Sequence, residues 1–312
     1  MQKLIGYFTE GITSSTLQTV GMEIETQFVD KNGDPIPTRK SQEMFLYLAQ
    51  RQWSFEWSKG NRITKLTDSD GNQISYELGR HNIEISTIAS TPENVLKVAK
   101  KCLGQLYQAA EVVYAKPCFV PILYGSEDLL MIPDERDAIW LELDGREALA
   151  PLARTSSVQF TISVDPKEAV RILNHLNRNL YRFLDDYPQE EIWKQYIAES
   201  KAGYLADRYG GPLHFDSIND YCQSLVKHDV VRGPKLVPFS QVTNLDIPLY
   251  LRSIWWYFRL KRYGDSLCIE VRPQSRKQDT QFYNQLRLVL TLFKEASQTK
   301  GSNFIDSPCH PY

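Results

Sequence analysis

The stretch from residue 21 to residue 26, Gly-Met-Glu-Ile-Glu-Thr, alternates apolar and polar side chains. Successive side chains of a β-strand point to opposite faces, so residues two apart share a face. As a strand, this stretch carries Glu23 and Glu25 on one face and Met22 and Ile24 on the other. The pattern predicts a strand with an apolar core face and an acidic second face.

Three later segments repeat this design: residues 82–86 (Asn-Ile-Glu-Ile-Ser), 157–162 (Ser-Val-Gln-Phe-Thr-Ile) and 267–272 (Leu-Cys-Ile-Glu-Val-Arg). Each has an apolar face, and the opposite faces carry the ligand-type residues Glu84, Gln159, Thr161, Glu270 and Arg272. An antiparallel sheet with one face in water gives the same alternation, so a plain solvated surface is the alternative interpretation.

The acidic residues on these faces favour a functional site; they are Glu23, Glu25, Glu84 and Glu270, with Glu77 seven residues before Glu84. Like charges on neighbouring strand positions repel one another. If these strands adjoin in one sheet, the clustering costs stability unless cations lie among the carboxylates. Mg²⁺ is typically held by a few carboxylates together with substrate phosphates. The sequence therefore predicts a metal–nucleotide site, on condition that the strands are neighbours.

These segments resemble motifs of the glutamate–cysteine ligase family, which includes related carboxylate–amine ligases. Residues 21–25 are similar to its G-x-E-x-E opening, residues 77–87 to its next acidic strand, and residues 156–160 to its third. Residues 254–256, followed by residues 268–272, resemble its closing hairpin with the E-V-R motif. Each match alone is a short pattern that arises by chance, but the four occur in the family's order.

The resemblance implies a glutamine-synthetase-like α+β fold, with a curved, mainly antiparallel sheet flanked by helices. We expect a single catalytic domain over residues 1–312, because the sequence has no internal repeat. The resemblance also implies two or three Mg²⁺ ions, and their expected ligands are Glu23, Glu25, Glu77, Glu84, Glu270 and, more weakly, Gln159.

Other roles follow from the same resemblance. Arg272 would meet the transferring phosphoryl group of ATP, with Glu270 beside it as the second catalytic residue. Arg276 and Lys277 follow the motif, and their positive charge, rather than the resemblance, is the reason to expect them at nucleotide phosphates. Many relatives have an Asp three residues beyond the E-V-R arginine, whereas this chain has Ser275. Loops that select the amine are short in a chain of this length, which leaves the identity of the acceptor open.

The implied activity is an ATP-dependent ligase of glutathione-biosynthesis type. It would phosphorylate a substrate carboxylate, glutamate being favoured, and an amine such as cysteine or another amino acid would attack the acyl phosphate. Such chemistry needs positioning and charge neutralisation more than a protein nucleophile. Two alternatives stay open: a small-molecule phosphotransferase on the same fold, and a nucleotide- or amino-acid-binding protein without turnover.

Composition excludes several other classes. Lys and Arg total 36 against 38 Asp and Glu, so the chain has no global basic field for nucleic acid or anionic lipid. The five cysteines are scattered and form no C-x-x-C pair, which argues against a disulfide framework. No apolar run is long enough for a membrane span or a signal peptide, so we expect a cytoplasmic protein. The sequence does not indicate an oligomeric state.

Helical spacing predicts four helices, over 41–53, 92–114, 166–184 and 280–296. In the first, Ser41 is the expected cap; in the third, Asp165 is the cap and Pro166 the first residue. Two hairpins are expected, over 62–86 and over 254–272. We expect a loop over 233–248 and a tail in the last dozen residues.

Several polar residues have two open interpretations. Arg259, Lys261 and Arg262 are either a solvated face or contacts for phosphate or carboxylate, with Arg259 favoured because a guanidinium binds a carboxylate in bidentate fashion. His81 has no partner at metal-ligand spacing, so a structural role is favoured; the alternative is that it borders the site, because it lies between Glu77 and Glu84. Cys268 shares the face of Glu270, where a small buried residue is favoured over a nucleophile.

Overall fold

The computed structural model describes residues 1–13, 18–58, 61–125, 127–131, 135–203, 208–243 and 247–298. In chain order, the strands of these residues are β1 (Val20–Val29), β2 (Ser54–Ser58), β3 (Arg62–Thr67), β4 (Gln73–Tyr76), β5 (Asn82–Ser86), β6 (Lys116–Cys118), β7 (Val158–Ser163), β8 (Tyr209–Gly210), β9 (Val230–Arg232), β10 (Lys235–Val237), β11 (Trp255–Trp256), β12 (Phe258–Tyr263) and β13 (Ser266–Val271). The α-helices are α1 (Gln2–Thr9), α2 (Thr38–Ala49), α3 (Pro92–Val112), α4 (Glu135–Asp144), α5 (Arg146–Leu149), α6 (Pro166–Arg178), α7 (Tyr181–Leu184), α8 (Gln189–Glu199), α9 (Ile218–Leu225), α10 (Ile247–Leu251) and α11 (Phe282–Gln298).

Nine strands form the main sheet of the described residues. Its order is β12-β13-β7-β1-β5-β4-β3-β2, with β6 pairing the end of β1, and the pairings are antiparallel. The four strands that carry the polar-faced segments, β13, β7, β1 and β5, are consecutive neighbours. The predicted metal–nucleotide site depended on these strands being neighbours in one sheet, and they are neighbours.

The register brings the polar residues onto one face. Glu25 lies opposite Glu84 on β5, and Glu23 lies opposite Gln159 on β7. Directly opposed residues of an antiparallel pair project from the same face. The polar faces of these strands therefore form one continuous surface.

The other face of the sheet belongs to the hydrophobic core. Met22, Ile24, Phe160 and Ile85 are almost fully buried there, in one cluster with residues of α3, α6 and α11. Helix α3 contacts β1 and β5, and α6 contacts β12 and β13. Because side chains alternate with a period of two, a slip of one residue would turn these apolar side chains out of the core and put the glutamates in their place. Core burial thereby fixes the register that assembles the polar face.

The expected α+β architecture with a mainly antiparallel sheet and flanking helices is confirmed. The curvature of the sheet and the single domain stay predictions. The Asp165 cap is confirmed, since its side chain accepts a hydrogen bond from the Lys167 N–H at 2.9 Å. The helix after it ends at Arg178, and the short α7 follows separately. The hairpin of β12 and β13 is also as expected.

Three local expectations are wrong. The helix assigned a Ser41 cap begins at Thr38, and Ser41 is buried inside it, with its hydroxyl accepting a hydrogen bond from Tyr76 at 2.8 Å. Residues 62–86 form three strands rather than two, because the chain leaves the sheet between β4 and β5. The expected loop at 233–248 contains β10 and the start of α10. The expected tail, the last dozen residues, belongs to the part of the chain after residue 298 that the structure does not describe.

No helix in the described part of the chain is long and apolar enough to span a membrane. The described cysteines, at positions 102, 118, 222 and 268, are free thiols. Cys309 lies outside the described residues.

Candidate functional site

Three glutamates form a carboxylate cluster at one side of the polar face. Glu25 and Glu84 come from neighbouring strands, and Glu77 lies just beyond the end of β4. One carboxylate oxygen of each lies within 4.8 Å of the corresponding oxygens of the other two. The sheet therefore brings together three expected metal ligands from distant positions in the sequence.

Glu25 is held in place by Gln159 of β7 and by Ser157, the residue before that strand. The Ser157 N–H and hydroxyl each donate a hydrogen bond to its carboxylate at 2.9 Å, and Gln159 Nε2 donates a third at 3.2 Å. Despite these donors, burial and then the Glu84 charge raise the pKa of Glu25 to about 8. Burial and the Glu23 charge likewise raise the pKa of Glu84, to which Ser86 donates a hydrogen bond at 2.6 Å. Both carboxylates are thus destabilised in their charged forms.

This cluster fits a hard divalent cation. Carboxylate oxygens are the ligands that Mg²⁺ and Ca²⁺ prefer, and ligands around one such ion lie at most about 4–5 Å apart. Burial and a neighbouring carboxylate charge both disfavour the ionised forms of Glu25 and Glu84, and a bound cation would favour those forms. The donor set and its spacing suit a metal ion, and the metal-ligand role of Glu25, Glu77 and Glu84 stays a prediction.

Glu270 lies in a different environment on the same face. Its side chain is fully buried, with Arg259 and Arg272 at Oε2 and Lys261 at Oε1; the Arg272 contact is 3.4 Å. Burial alone would raise the pKa of Glu270, but Arg259, Lys261 and Arg272 outweigh it and hold that pKa well below its ordinary value. Glu270 is therefore a stable anion that already has three cationic partners.

Glu23 lies between the carboxylate cluster and the ion pairs around Glu270. It stands on the strand face beside Glu25, and its Oε1 is 3.7 Å from Lys261 Nζ. The five glutamates expected to hold metal thus separate into a cluster of three and a pair around Lys261.

Gln159 connects the two groups. Its Nε2 donates to Glu25, while its Oε1 accepts a hydrogen bond from Arg272 Nη1 at 3.0 Å. Oε1 is the atom with which Gln159 would ligate a metal, and the arginine occupies it. The amide therefore orients Arg272 relative to Glu25.

A small cavity opens beside these residues. It has a volume of about 60 Å³, which holds a few ions or water molecules but not a nucleotide. Its lining includes Glu25, Glu77, Gln159 and Arg272 from the polar face, and Tyr187, Gln189 and Trp193 from the segment around the start of α8. The cavity places two carboxylates of the cluster, those of Glu25 and Glu77, and the Arg272 guanidinium around one space.

The two cations expected to contact nucleotide lie elsewhere. Arg276 is fully buried and donates to Thr26 Oγ1 at 3.1 Å and to Asp279 at 2.7 Å. Because Thr26 follows Glu25 along β1, this guanidinium lies on the opposite face of the strand. Lys277 is half-exposed and pairs with Asp186.

His81 and Cys268 have structural environments. Burial lowers the pKa of His81 to about 4, and its Nε2 lies 3.0 Å from Gln27 Oε1, so the ring is neutral near pH 7. Burial raises the pKa of Cys268 to about 11, which keeps it a thiol rather than a nucleophilic thiolate. Both findings agree with the non-catalytic interpretations.

Two groups of residues at the site were not predicted from the sequence. Ser157 lies two residues before Gln159, so in an extended chain both side chains point to the same face. This alternation could have predicted Ser157 beside Glu25. Tyr187, Gln189 and Trp193 reach the cavity from a segment with no motif. No local pattern signals their position.

The structure of this chain is similar to solved structures of other proteins, whereas its sequence is not similar to known ones. No protein-family model matches the chain, and no curated protein matches it by sequence. A bifunctional glutathione synthetase from Pasteurella multocida superposes with a TM-score of 0.52 at 11% identity, over 94% of this chain and 40% of that one. The chain shares the fold of that structure. A glutamate–cysteine ligase from Francisella tularensis, solved with AMP, is a weaker match, with a TM-score of 0.48, 10% identity, and 91% and 68% coverage.

The shared fold confirms the fold that the resemblance of the four motifs implied. At these identities the likeness is one of fold alone. The chain spans 40% of the length of the Pasteurella enzyme, so the activity of that whole protein does not pass to it.

Proposed function

We propose that this chain is an ATP-dependent carboxylate–amine ligase that forms an amide through an acyl phosphate. The observation that carries the proposal is the side-by-side order β13-β7-β1-β5, which brings the carboxylate cluster to a cavity lined by Glu25, Glu77 and the Arg272 guanidinium. The favoured substrates are glutamate and an amino acid such as cysteine.

In this proposal, Glu25, Glu77 and Glu84 would hold Mg²⁺, which supplies charge neutralisation for phosphate oxygens when bound. Ser157 and Gln159 fix the position of the Glu25 carboxylate by hydrogen bonds. These donors keep the carboxylate oriented in a cavity where its charge is otherwise disfavoured.

Arg272 would bind the phosphoryl group as it moves from ATP to the carboxylate. Its Nη1 is fixed by Gln159 and Glu270, and its Nε and Nη2 make no hydrogen bond with the described residues. A guanidinium held by one nitrogen and open at the others is suited to an anion with several oxygens. Such fixed donors stabilise charge that develops during transfer.

Glu270 would act through Arg272 rather than on substrate, since its oxygens are already paired. The nucleotide contacts expected of Arg276 and Lys277 stay predictions. A nucleotide does not fit the 60 Å³ cavity, so the adenosine would lie outside it, with only the terminal phosphate inside.

The test is ADP release from Mg-ATP and glutamate, screened across the amino acids and common amines, with product masses recorded. We expect ADP release to depend on the amine, together with a condensed product. ADP release without an amine would favour a phosphotransferase, and thermal stabilisation by Mg-ATP without ADP release would favour a binding protein.

Glu84→Gln is the informative variant, with Glu56→Gln as its matched control. Glu56 lies on β2 of the same sheet, with 65% of its side chain exposed and paired with Lys65. We expect Glu84→Gln to lower ADP release at least 100-fold while the control retains it. Equal activity of the two variants would contradict the role of the carboxylate cluster.

A further inference from the structure

Lys261 is a cation within the polar face to which the proposed reaction assigns no role. It lies on β12, two residues after Arg259, and its side chain is 23% exposed. Its ammonium pairs with Glu270 Oε1 and lies 3.7 Å from Glu23 Oε1. The ammonium therefore lies between the two glutamates that were expected to hold metal but stand outside the carboxylate cluster.

The surroundings of Glu270 do not fit a divalent cation. Arg259 donates to Glu270 and also to two main-chain oxygens, those of Leu251 and Ile254, at 2.9 and 2.8 Å. This network anchors the arginine in the core. A metal ion at Glu270 would meet three positive charges within ion-pair distance and would have to displace at least one of them.

We infer that Lys261 takes the place of a metal ion between Glu23 and Glu270, so that divalent cations are confined to Glu25, Glu77 and Glu84. The location of those cations rests on the proposed function; the place of Lys261 rests on the contacts of the lysine itself. An ammonium neutralises carboxylates as a cation does, but it is covalently attached and leaves no coordination position open.

The two halves of the polar face then differ in how their charge is balanced. Around Glu23 and Glu270, the chain supplies its own cations in Lys261, Arg259 and Arg272. At the carboxylate cluster, Glu25, Glu77 and Glu84 bring carboxylate oxygens within 4.8 Å of one another, and the proposed function balances their charge with a divalent cation.

The experiment counts Mn²⁺ ions bound to the full chain by electron paramagnetic resonance, without nucleotide. The main variant is Lys261→Met, which removes the charge at similar length, and Lys261→Gln is a second, polar replacement. Lys261→Arg retains the charge and is the control. Circular dichroism checks that each variant folds.

We expect Lys261→Met or Lys261→Gln to bind one Mn²⁺ more than the wild type, and Lys261→Arg to bind the same number as the wild type. Adding Glu270→Gln to Lys261→Met should remove the gained ion. An unchanged count in both charge-removing variants would overturn the inference, as would a wild-type ion that is lost in Glu270→Gln but kept in Glu84→Gln.

The wild-type count separates this inference from the proposed function. One wild-type ion that disappears in Glu84→Gln supports the carboxylate cluster. A wild-type count of zero would contradict the proposed metal site, and the gain in Lys261→Met would still decide the role of Lys261.

Discussion

Glu25 on β1 and Glu84 on β5 lie directly opposite each other in an antiparallel pair, so two carboxyl groups project side by side from one face of the sheet. Directly opposed like charges destabilise a sheet. Core packing of Ile24 and Ile85, which lie opposite each other on the other face, holds the strands in this register. The sheet therefore keeps a local electrostatic cost at the site where a cation fits.

Removing the charge of Glu25 should flatten the dependence of stability on pH in the metal-free protein. Because folding raises the pKa of Glu25 from 4.5 to about 8, the folded state retains a proton that the unfolded state loses. The resulting stabilisation is fully present below pH 4.5 and is lost as the pH rises through about 8. The loss is about 5 kcal/mol at most.

Urea unfolding from pH 4.5 to 9 measures this effect as the difference between the wild type and Glu25→Gln. We expect the free energy of unfolding of the wild type to fall more steeply with pH. Parallel pH profiles would show that Glu25 titrates as in the unfolded chain.

Binding of Mg²⁺ should release protons. Near pH 7 Glu25 is mostly protonated, since its pKa is about 8, and a carboxyl must lose its proton to ligate a metal. Titration calorimetry in buffers of different ionisation enthalpy should show about one proton released per ion at pH 7 and close to none at pH 9.5. A pH-independent count would contradict the involvement of Glu25, and Glu25→Gln should release fewer protons than the wild type.

Glu270→Gln should destabilise the fold strongly. The substitution leaves Arg259, Lys261 and Arg272 without their shared anion, and breaking a buried ion pair from one side typically costs about 3–5 kcal/mol. Glu43→Gln is the control, because the Glu43 side chain is 42% exposed and its pair with Arg39 is a surface contact. That control should change stability by less than about 1 kcal/mol.

The measurement is the free energy of unfolding in urea. Similar values for Glu270→Gln and Glu43→Gln would mean that the three cations are satisfied without Glu270. A strong loss would also show that inactivity of Glu270→Gln is not by itself a sign of metal binding.

Asp165→Ala should cost about 1 kcal/mol, because the side chain caps the N-terminus of α6 by accepting from the Lys167 N–H. Asp165→Asn retains an acceptor oxygen and should change stability by a few tenths of a kcal/mol. Thermal unfolding compares the two variants. Equal melting temperatures would show that the cap hydrogen bond contributes little.

Sequence alone determined the parts of the protein that depend on local chemistry. The alternation in residues 21–26 and in the three similar segments specified strands with one apolar and one polar face, since a period of two is a property of the extended backbone. Asp165 followed by Pro166 specified a helix start. The order of the motifs indicated the fold, which the structural comparison confirms.

Only the tertiary structure decided which polar residues meet. Glu25, Glu77 and Glu84 come together, whereas Glu23 and Glu270 meet Lys261, although all five glutamates had the same expected role. Arg276 lies beyond the E-V-R motif, yet its guanidinium is on the opposite face, beside Thr26. The physical reason is that the pattern of a strand gives the face of a residue but not its neighbours. Strand order, register and long side chains set the neighbours, and these depend on the packing of the whole core.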